Sequence, residues 1–233
     1  MYVYGKNVAH EVIKNIEKIK KAYLSKNFDE RDIITVLNRN NINIKYMEKR
    51  EMDKYVDGNH QGIILDIEDY EYCEIEELIK DDSLIVILDH LEDPHNFGAI
   101  IRTCEAAGVS GIIIPKDRSV SINSTVMKVS AGALEMVKIS QVTNLSQTIE
   151  YLKKQGFWIV GTDMQGTNYR EIDYKGKTAI VIGNEGKGMS NIVSKNCDFI
   201  ATIPMKGNIN SLNASVAAGI IIFEAIKTRW LNV

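Results

Sequence analysis

Three short stretches place polar side chains directly after apolar runs. In "DPHNFGAIIRTCEAAG", residues 93–108, Asn96 and Arg102 interrupt a helical pattern whose stripe is Ile100, Ile101, Cys104 and Ala107. In "VIGNEGKG", residues 181–188, Glu185 stands among Gly183, Gly186 and Gly188. In "IPMKGNINSLNAS", residues 203–215, Ser211 and Asn213 open a long apolar helix. Each has a structural explanation of its own. Arg102 is a permanent cation that suits an ion pair, the glycines suit a surface loop, and Ser and Asn are favoured helix caps. Their combination has chemical content. A glycine-rich turn after a strand lets backbone approach a ligand closely. Around it stand a fixed cation, a carboxylate and two carboxamides. The glycine spacing is neither the dinucleotide fingerprint nor a P-loop. His90 and His95 flank Asp93, but no further ligand stands at metal spacing, so no metal is expected.

The elements around these stretches explain why they would converge. "LIVIL", from Leu84, is apolar without alternation, as in a strand buried on both faces. "GIIIP", "FWIVGTD", "TAIVIG" and "DFIATIPM" come next as strands, with helices near 94–107, 145–155 and 211–230. Strands alternating with helices predict an α/β fold with a mostly parallel sheet, whose ligand sits beyond the C-terminal strand ends. All three polar stretches lie at such ends. Upstream, "NVAHEVIKNIEKIKKAYL" has helical spacing through Val8, Val12, Ile16 and Ile19, which predicts a helix over 7–24. A second helix is expected over 29–41, with Asp29 or Asp32 as cap and Asn40-Asn41 as stop. With strands at 43–47 and 62–67 it makes a small α/β unit.

The chain has 233 residues, 45% hydrophobic and 25% charged, an ordinary globular composition. Its net charge of -3 is unevenly spread: residues 1–61 carry +3, residues 62–83 carry -8, and the remainder carries +2. The pI of 5.9 is therefore no argument against a nucleic-acid partner. Cys73, Cys104 and Cys197 are far apart and form no CxxC, which suits a reducing, cytoplasmic compartment. No stretch reads as a signal peptide, and "AAGIIIFEAI" is too short to span a bilayer, so no membrane association is expected.

The three stretches resemble the motifs of the SpoU (TrmH-type) RNA 2'-O-ribose methyltransferases of the SPOUT superfamily. Asn96, Gly98, Arg102, Ala106 and Gly108 match the first motif. Gly183, Glu185, Gly186 and Gly188 match the second. Ile203, Pro204, Met205, Ser211, Leu212, Asn213, Ser215 and Ala217 match the third. The match covers residues 84–230. "VYGKNVAHEVI" and "PKDRSVSINSTVMKVSAGALE" resemble the RlmB-type subgroup, which modifies guanosine of 23S rRNA in the peptidyl-transferase region.

The resemblance implies a deep trefoil knot in a mostly parallel catalytic sheet, preceded by a small α/β RNA-binding domain. It implies residues 1–67 as the RNA substrate-binding domain and 83–233 as the catalytic domain, and by its charge the segment 68–82 between them reads as an acidic connector. It implies S-adenosyl-L-methionine as cofactor, held by Gly183, Ile203 and Leu212, with Thr162 toward its methionine end. It implies Arg102 as the catalytic arginine, with Asn96, Glu185, Ser211 and Asn213 completing the set. It implies a homodimer acting on RNA, with 23S rRNA expected first. A tRNA ribose, a resistance-type rRNA adenosine, or a non-catalytic ribosome-assembly role are the alternatives. Arginine is proposed in the family to accept the 2'-hydroxyl proton. Neutral guanidine at pH 7 costs roughly 7–9 kcal/mol, so a charged arginine stabilising the developing alkoxide is the physically preferred version.

Overall fold

The structure is a computed structural model that describes residues 1–208 and 211–230. The chain divides into two compact units. One is Met1–Glu71 with Ile122–Gly132, and the other is Tyr72–Ser121 with Ala133–Val233.

The first unit contains β1 (Tyr2–Tyr4), α1 (Lys6–Val12), β2 (Ile19–Ser25), α2 (Arg31–Arg39), β3 (Ile44–Met47), α3 (Lys49–Met52) and β4 (Ile63–Ile67). Its sheet has the order β1-β4-β2-β3. Val3, Ala22, Leu24, Ile63 and Leu65 point to one core, shared with Val8 and Val12 of α1 and Ile33 and Leu37 of α2. Tyr23, Met47 and Ile64 point to the other, covered by Met52. The helix expected over 7–24 is much shorter. It ends at Val12, and the turn after it breaks at Asn15, with φ -115° and ψ 66°. From Ile19 the chain is a central strand. Ile16 and Ile19 continue the helical period, but Ala22 to Ser25 are buried on both faces of the sheet, and pairing with β3 and β4 decides in favour of the strand. Helix α2 starts after Glu30 without a side-chain cap, and Asp32 lies in its first turn. Asn40 and left-handed Asn41 (φ 56°) stop it. The helix Ser124–Ser130, far along the chain, packs with this unit, where Met127 meets its larger core.

The second unit contains β5 (Leu84–Leu88), α4 (Pro94–Ala106), β6 (Gly111–Pro115), β7 (Ile139–Val142), α6 (Leu145–Lys154), β8 (Trp158–Asn168), β9 (Thr178–Ile182), α7 (Asn191–Asn196), β10 (Phe199–Thr202) and α8 (Ala214–Trp230), α5 being the helix Ser124–Ser130. Six parallel strands lie in the order β10-β8-β9-β5-β6-β7, as the mostly parallel expectation requires. All five residues of β5 and of β9 are buried, which accounts for their unalternating apolar runs. Strand β7, "ISQV", is not expected from the sequence pattern. It is an edge strand with two buried and two partly buried residues. "EIEELIKDD" forms a single 3-10 turn at Ile75–Leu78. Helix α8 packs on α4 and is tied at its far end by Arg229, whose guanidinium donates to the Tyr174 carbonyl at 3.1 Å.

Candidate active site

Strands β5 and β9 are neighbours, and Leu88 pairs with Ile182, so both strands end side by side. The glycine stretch leaves β9 and folds into a tight hairpin. Asn184 and Gly188 exchange backbone hydrogen bonds of 3.0 and 2.9 Å. The Asn184 Oδ1 accepts from the amides of Gly186 (2.9 Å) and Lys187 (3.2 Å), and its Nδ2 donates to the His90 carbonyl at 2.8 Å. Gly183 has no alternative: a Cβ there would overlap the backbone of Gly188 and Met189. Gly188 turns the hairpin back at φ 68°.

A cavity of about 440 Å³ opens against this hairpin. Gly183, Glu185 and Gly186 form one wall, Thr162 and Asp163 a second, and Ile203, Ser211 and Leu212 a third. Ile182, Ala201, Ala217 and Ile221 supply apolar lining. The structure thus brings together Thr162, Gly183, Glu185, Ile203, Ser211 and Leu212. The Thr162 hydroxyl is already spent on the Val181 carbonyl at 2.9 Å. Buried Asn96 joins the group through Glu185, donating Nδ2–H to its Oε1 at 3.1 Å. The same oxygen accepts from the Asp93 amide at 3.3 Å, and Asp93 caps α4 through the His95 amide at 2.9 Å. The hairpin is therefore joined to the start of the helix that carries Arg102.

Asn96 does not itself line the cavity, and neither do two further expected residues. Asn213 caps α8, its Oδ1 accepting from the Ser215 amide (2.9 Å) and hydroxyl (2.6 Å). Arg102 is exposed on α4 and makes no hydrogen bond or ion pair with another described residue. A structural ion pair is thus not what holds it there. Cys104, on the same helix, is fully buried, and burial holds its thiol well above the ordinary range. Burial likewise pushes Cys197 up to about 12, so neither supplies a thiolate nucleophile. Among the described residues one trio, His10, Glu30 and Asp32 of the first unit, gathers metal-capable atoms within 4.8 Å. Lys6 Nζ already lies 2.6 Å from Glu30 there.

Asp89 carries a role that its sequence context alone does not reveal. It is 1% exposed, directly after β5. Its Oδ2 accepts from the Ser190 amide at 2.6 Å, and its Oδ1 lies 2.6 Å from His90 Nδ1. It therefore pins both the hairpin's exit and the residue that holds Asn184. The available signal was an acid closing an otherwise apolar run, "LIVILD". Asp89→Asn should loosen the hairpin, because a carboxamide cannot accept both bonds with the strength of a carboxylate. Losing a bond to a charged acceptor costs about 1.5–3 kcal/mol. Exchange of the Ser190 amide should quicken at least about tenfold, with the sheet amides unchanged. Unaltered Ser190 protection would reject this anchoring role.

Residues 83–223 match the SpoU rRNA methylase family, and residues 2–73 match a module described as RNA 2'-O ribose methyltransferase substrate binding. The chain belongs to the SpoU rRNA methylase family. It is an RNA methyltransferase of this TrmH/SpoU type. A Bacillus subtilis protein, YacO, named for the TrmH family of tRNA/rRNA methyltransferases, is 41% identical over 98% of this chain and 96% of its own. The SpoU methyltransferase AviRb of Streptomyces viridochromogenes, solved in complex with the cofactor AdoMet, superposes with a TM-score of 0.83 at 22% identity, covering 99% of this chain and 90% of that one. An AdoMet-bound rRNA methyltransferase of Sinorhizobium meliloti gives 0.77 at 26% identity, covering 97% and 86%. The SpoU fold and the N-terminal substrate-binding domain expected from the sequence are thus both present. No helix among the described residues is long and apolar enough to cross a membrane.

Proposed function

We propose that this protein transfers a methyl group from S-adenosyl-L-methionine to a ribose 2'-hydroxyl of RNA, at a guanosine of 23S rRNA in the peptidyl-transferase region. The observation that carries the reading is the convergence of the second and third motifs on one cavity, with the first motif joined to its wall by the Asn96–Glu185 hydrogen bond. The cavity's volume lies within the range of small-molecule sites. Its lining suits the cofactor: backbone groups at Gly183, Ile203 and Leu212 for an adenine edge, and apolar Ile203 and Leu212 side chains for its face. Thr162 lies on the wall assigned to the methionine end. The cofactor supplies an electrophilic methyl when bound.

The chain's own groups do the rest. Arg102 stays charged and stabilises the ribose oxygen as its proton is lost to water, while holding the adjacent phosphate. Glu185, oriented by Asn96 and the Asp93 amide, positions the ribose. Ser211 and Asn213 stand at the start of α8, whose positive dipole end favours a phosphate. The proposal includes a cytoplasmic homodimer. On α8, beside α4, Val216 is 50% exposed and Phe223 43%. A second copy packed there completes the site and accounts for Arg102 lying outside its own protomer's cavity.

The test is methylation of undermodified 23S rRNA and tRNA, with the modified nucleotide mapped. A single 2'-O-methylguanosine in the peptidyl-transferase region is the expected result. Modification of tRNA alone would move the assignment to the alternative that the relative's tRNA/rRNA name leaves open. An rRNA adenosine would give the resistance-type reading. Cofactor binding without methylation of either RNA would favour a non-catalytic assembly factor.

A further inference from the structure

The first unit carries a surface that the cavity chemistry does not use. Strand pairing aligns Tyr4, Ile64, Tyr23 and Lys45 in one row across β1, β4, β2 and β3, and Tyr2, Asp66 and Lys21 in the next. Residues paired in this way share a face of the sheet. Three tyrosines meet on it. Tyr2 and Tyr23 lie edge to face at 6.1 Å, Tyr2 and Tyr55 at 5.7 Å, and Tyr23 and Tyr55 tilted at 5.1 Å. Tyr23 is 7% exposed and forms the floor, whereas Tyr2 is 38% and Tyr55 36% exposed. Lys21 Nζ stands 5.2 Å from the Tyr23 ring centroid. Neither Lys21 nor exposed Lys45 forms an ion pair with a described residue. The acid on the face, Asp66, already faces the N-terminal ammonium at 3.7 Å.

A core needs Tyr23 but gains little from two further rings left a third open to water. Exposed rings beside unpaired cations, in a block of net charge +3, are the arrangement that holds single-stranded nucleic acid. Aromatic faces take unstacked bases and the cations take phosphates. We infer that Tyr2 and Tyr55, with Lys21 and Lys45, form a stacking platform for unpaired bases of the RNA substrate. The inference deepens the proposed RNA methyltransferase reading and rests on it. It implies that the unit recognises a loop or bulge rather than a continuous duplex.

The experiment uses the full chain and two labelled probes, an oligoadenylate of about ten nucleotides and a fully paired RNA hairpin. Tyr2→Leu/Tyr55→Leu keeps apolar bulk and removes the flat rings. Affinity for the oligoadenylate should fall about tenfold or more, the scale of losing one or two stacked bases, with hairpin binding unchanged. Lys21→Gln should weaken both probes and flatten the salt dependence. Tyr55→Leu alone serves if the double variant does not fold. Undiminished oligoadenylate affinity in a folded variant overturns the platform. So does equal loss on both probes, or a changed oligomeric state with RNA affinity intact, which would make the face a protein contact. Cofactor titration of the wild type is read separately. Absence of cofactor binding there would sink the methyl-transfer reading while leaving the two-probe comparison valid.

Discussion

Gly183→Val should abolish S-adenosyl-L-methionine binding, with at least about a hundredfold loss of affinity, while the chain retains its fold. The reason is backbone geometry. A Cβ at this position falls on the returning strand of the hairpin, against Gly188 and Met189, where no side chain can swing aside. Residues 184–188 must move, and they carry the wall on which Asn184 organises the Gly186 and Lys187 amides. Overpacking of this kind costs typically about 1–3 kcal/mol, and the hairpin is the part able to yield, because Glu185 through Gly188 are exposed. The strands below it are buried over their whole length, so the melting transition should survive. Gly186→Ala is the matched control. Its Cβ would meet only Asn184 Oδ1, at 3.7 Å, so a nearly native affinity is expected. Calorimetric titration of both variants decides the matter. Native affinity in a folded Gly183→Val protein would remove the hairpin from the cofactor site.

The site was legible because its parts are local in sequence and special in composition. A buried parallel strand announces itself as an unalternating apolar run, and the segment after its C-terminal end is a loop at the mouth of the sheet. Gly183, Ile203 and Leu212 could be placed from that rule and the resemblance together. Asp89 could not, since its role depends on Ser190, which is 101 residues away. What faces Arg102 could not be read either. The stripe of Ile100, Ile101 and Cys104 shows which face of α4 is buried, but not what stands opposite the other face. In the first unit the error was of another kind. Ile16 and Ile19 extend a helical period into a segment that is buried on both faces as a central strand. Pairing with β3 and β4, whose partner residues lie 22 to 48 positions away, settled the conflict. The tyrosine face is a product of the same non-local pairing, because Tyr2, Tyr23 and Tyr55 are adjacent only once the sheet has formed.

Arg102→Ala should abolish methyl transfer and leave cofactor affinity nearly intact, since Arg102 lies outside the residues that line the cavity. Arg102→Lys then separates two mechanisms. Lysine, with an ordinary pKa near 10.4, gives up its proton more readily than arginine. If the residue's task were to accept the hydroxyl proton, lysine should retain activity and gain more as the pH rises. If the task is a planar charged fork that holds the alkoxide and its neighbouring phosphate together, lysine should fail at every pH. Failure is expected, by at least about a hundredfold in kcat, the scale of removing one oxyanion donor. Recovery to near wild-type rate above about pH 9, with RNA and cofactor saturating, would favour the base. Mixing experiments then test the composite site. Arg102→Ala and Gly183→Val are each expected to be inactive. If Arg102 of one protomer serves the cavity of the other, a mixed dimer has one site with both residues intact, and co-refolding the two variants restores turnover. If Arg102 serves its own protomer's cavity, every site in the mixed dimer lacks one of the two residues. Co-refolded protein that stays inactive while remaining dimeric would therefore return Arg102 to its own site.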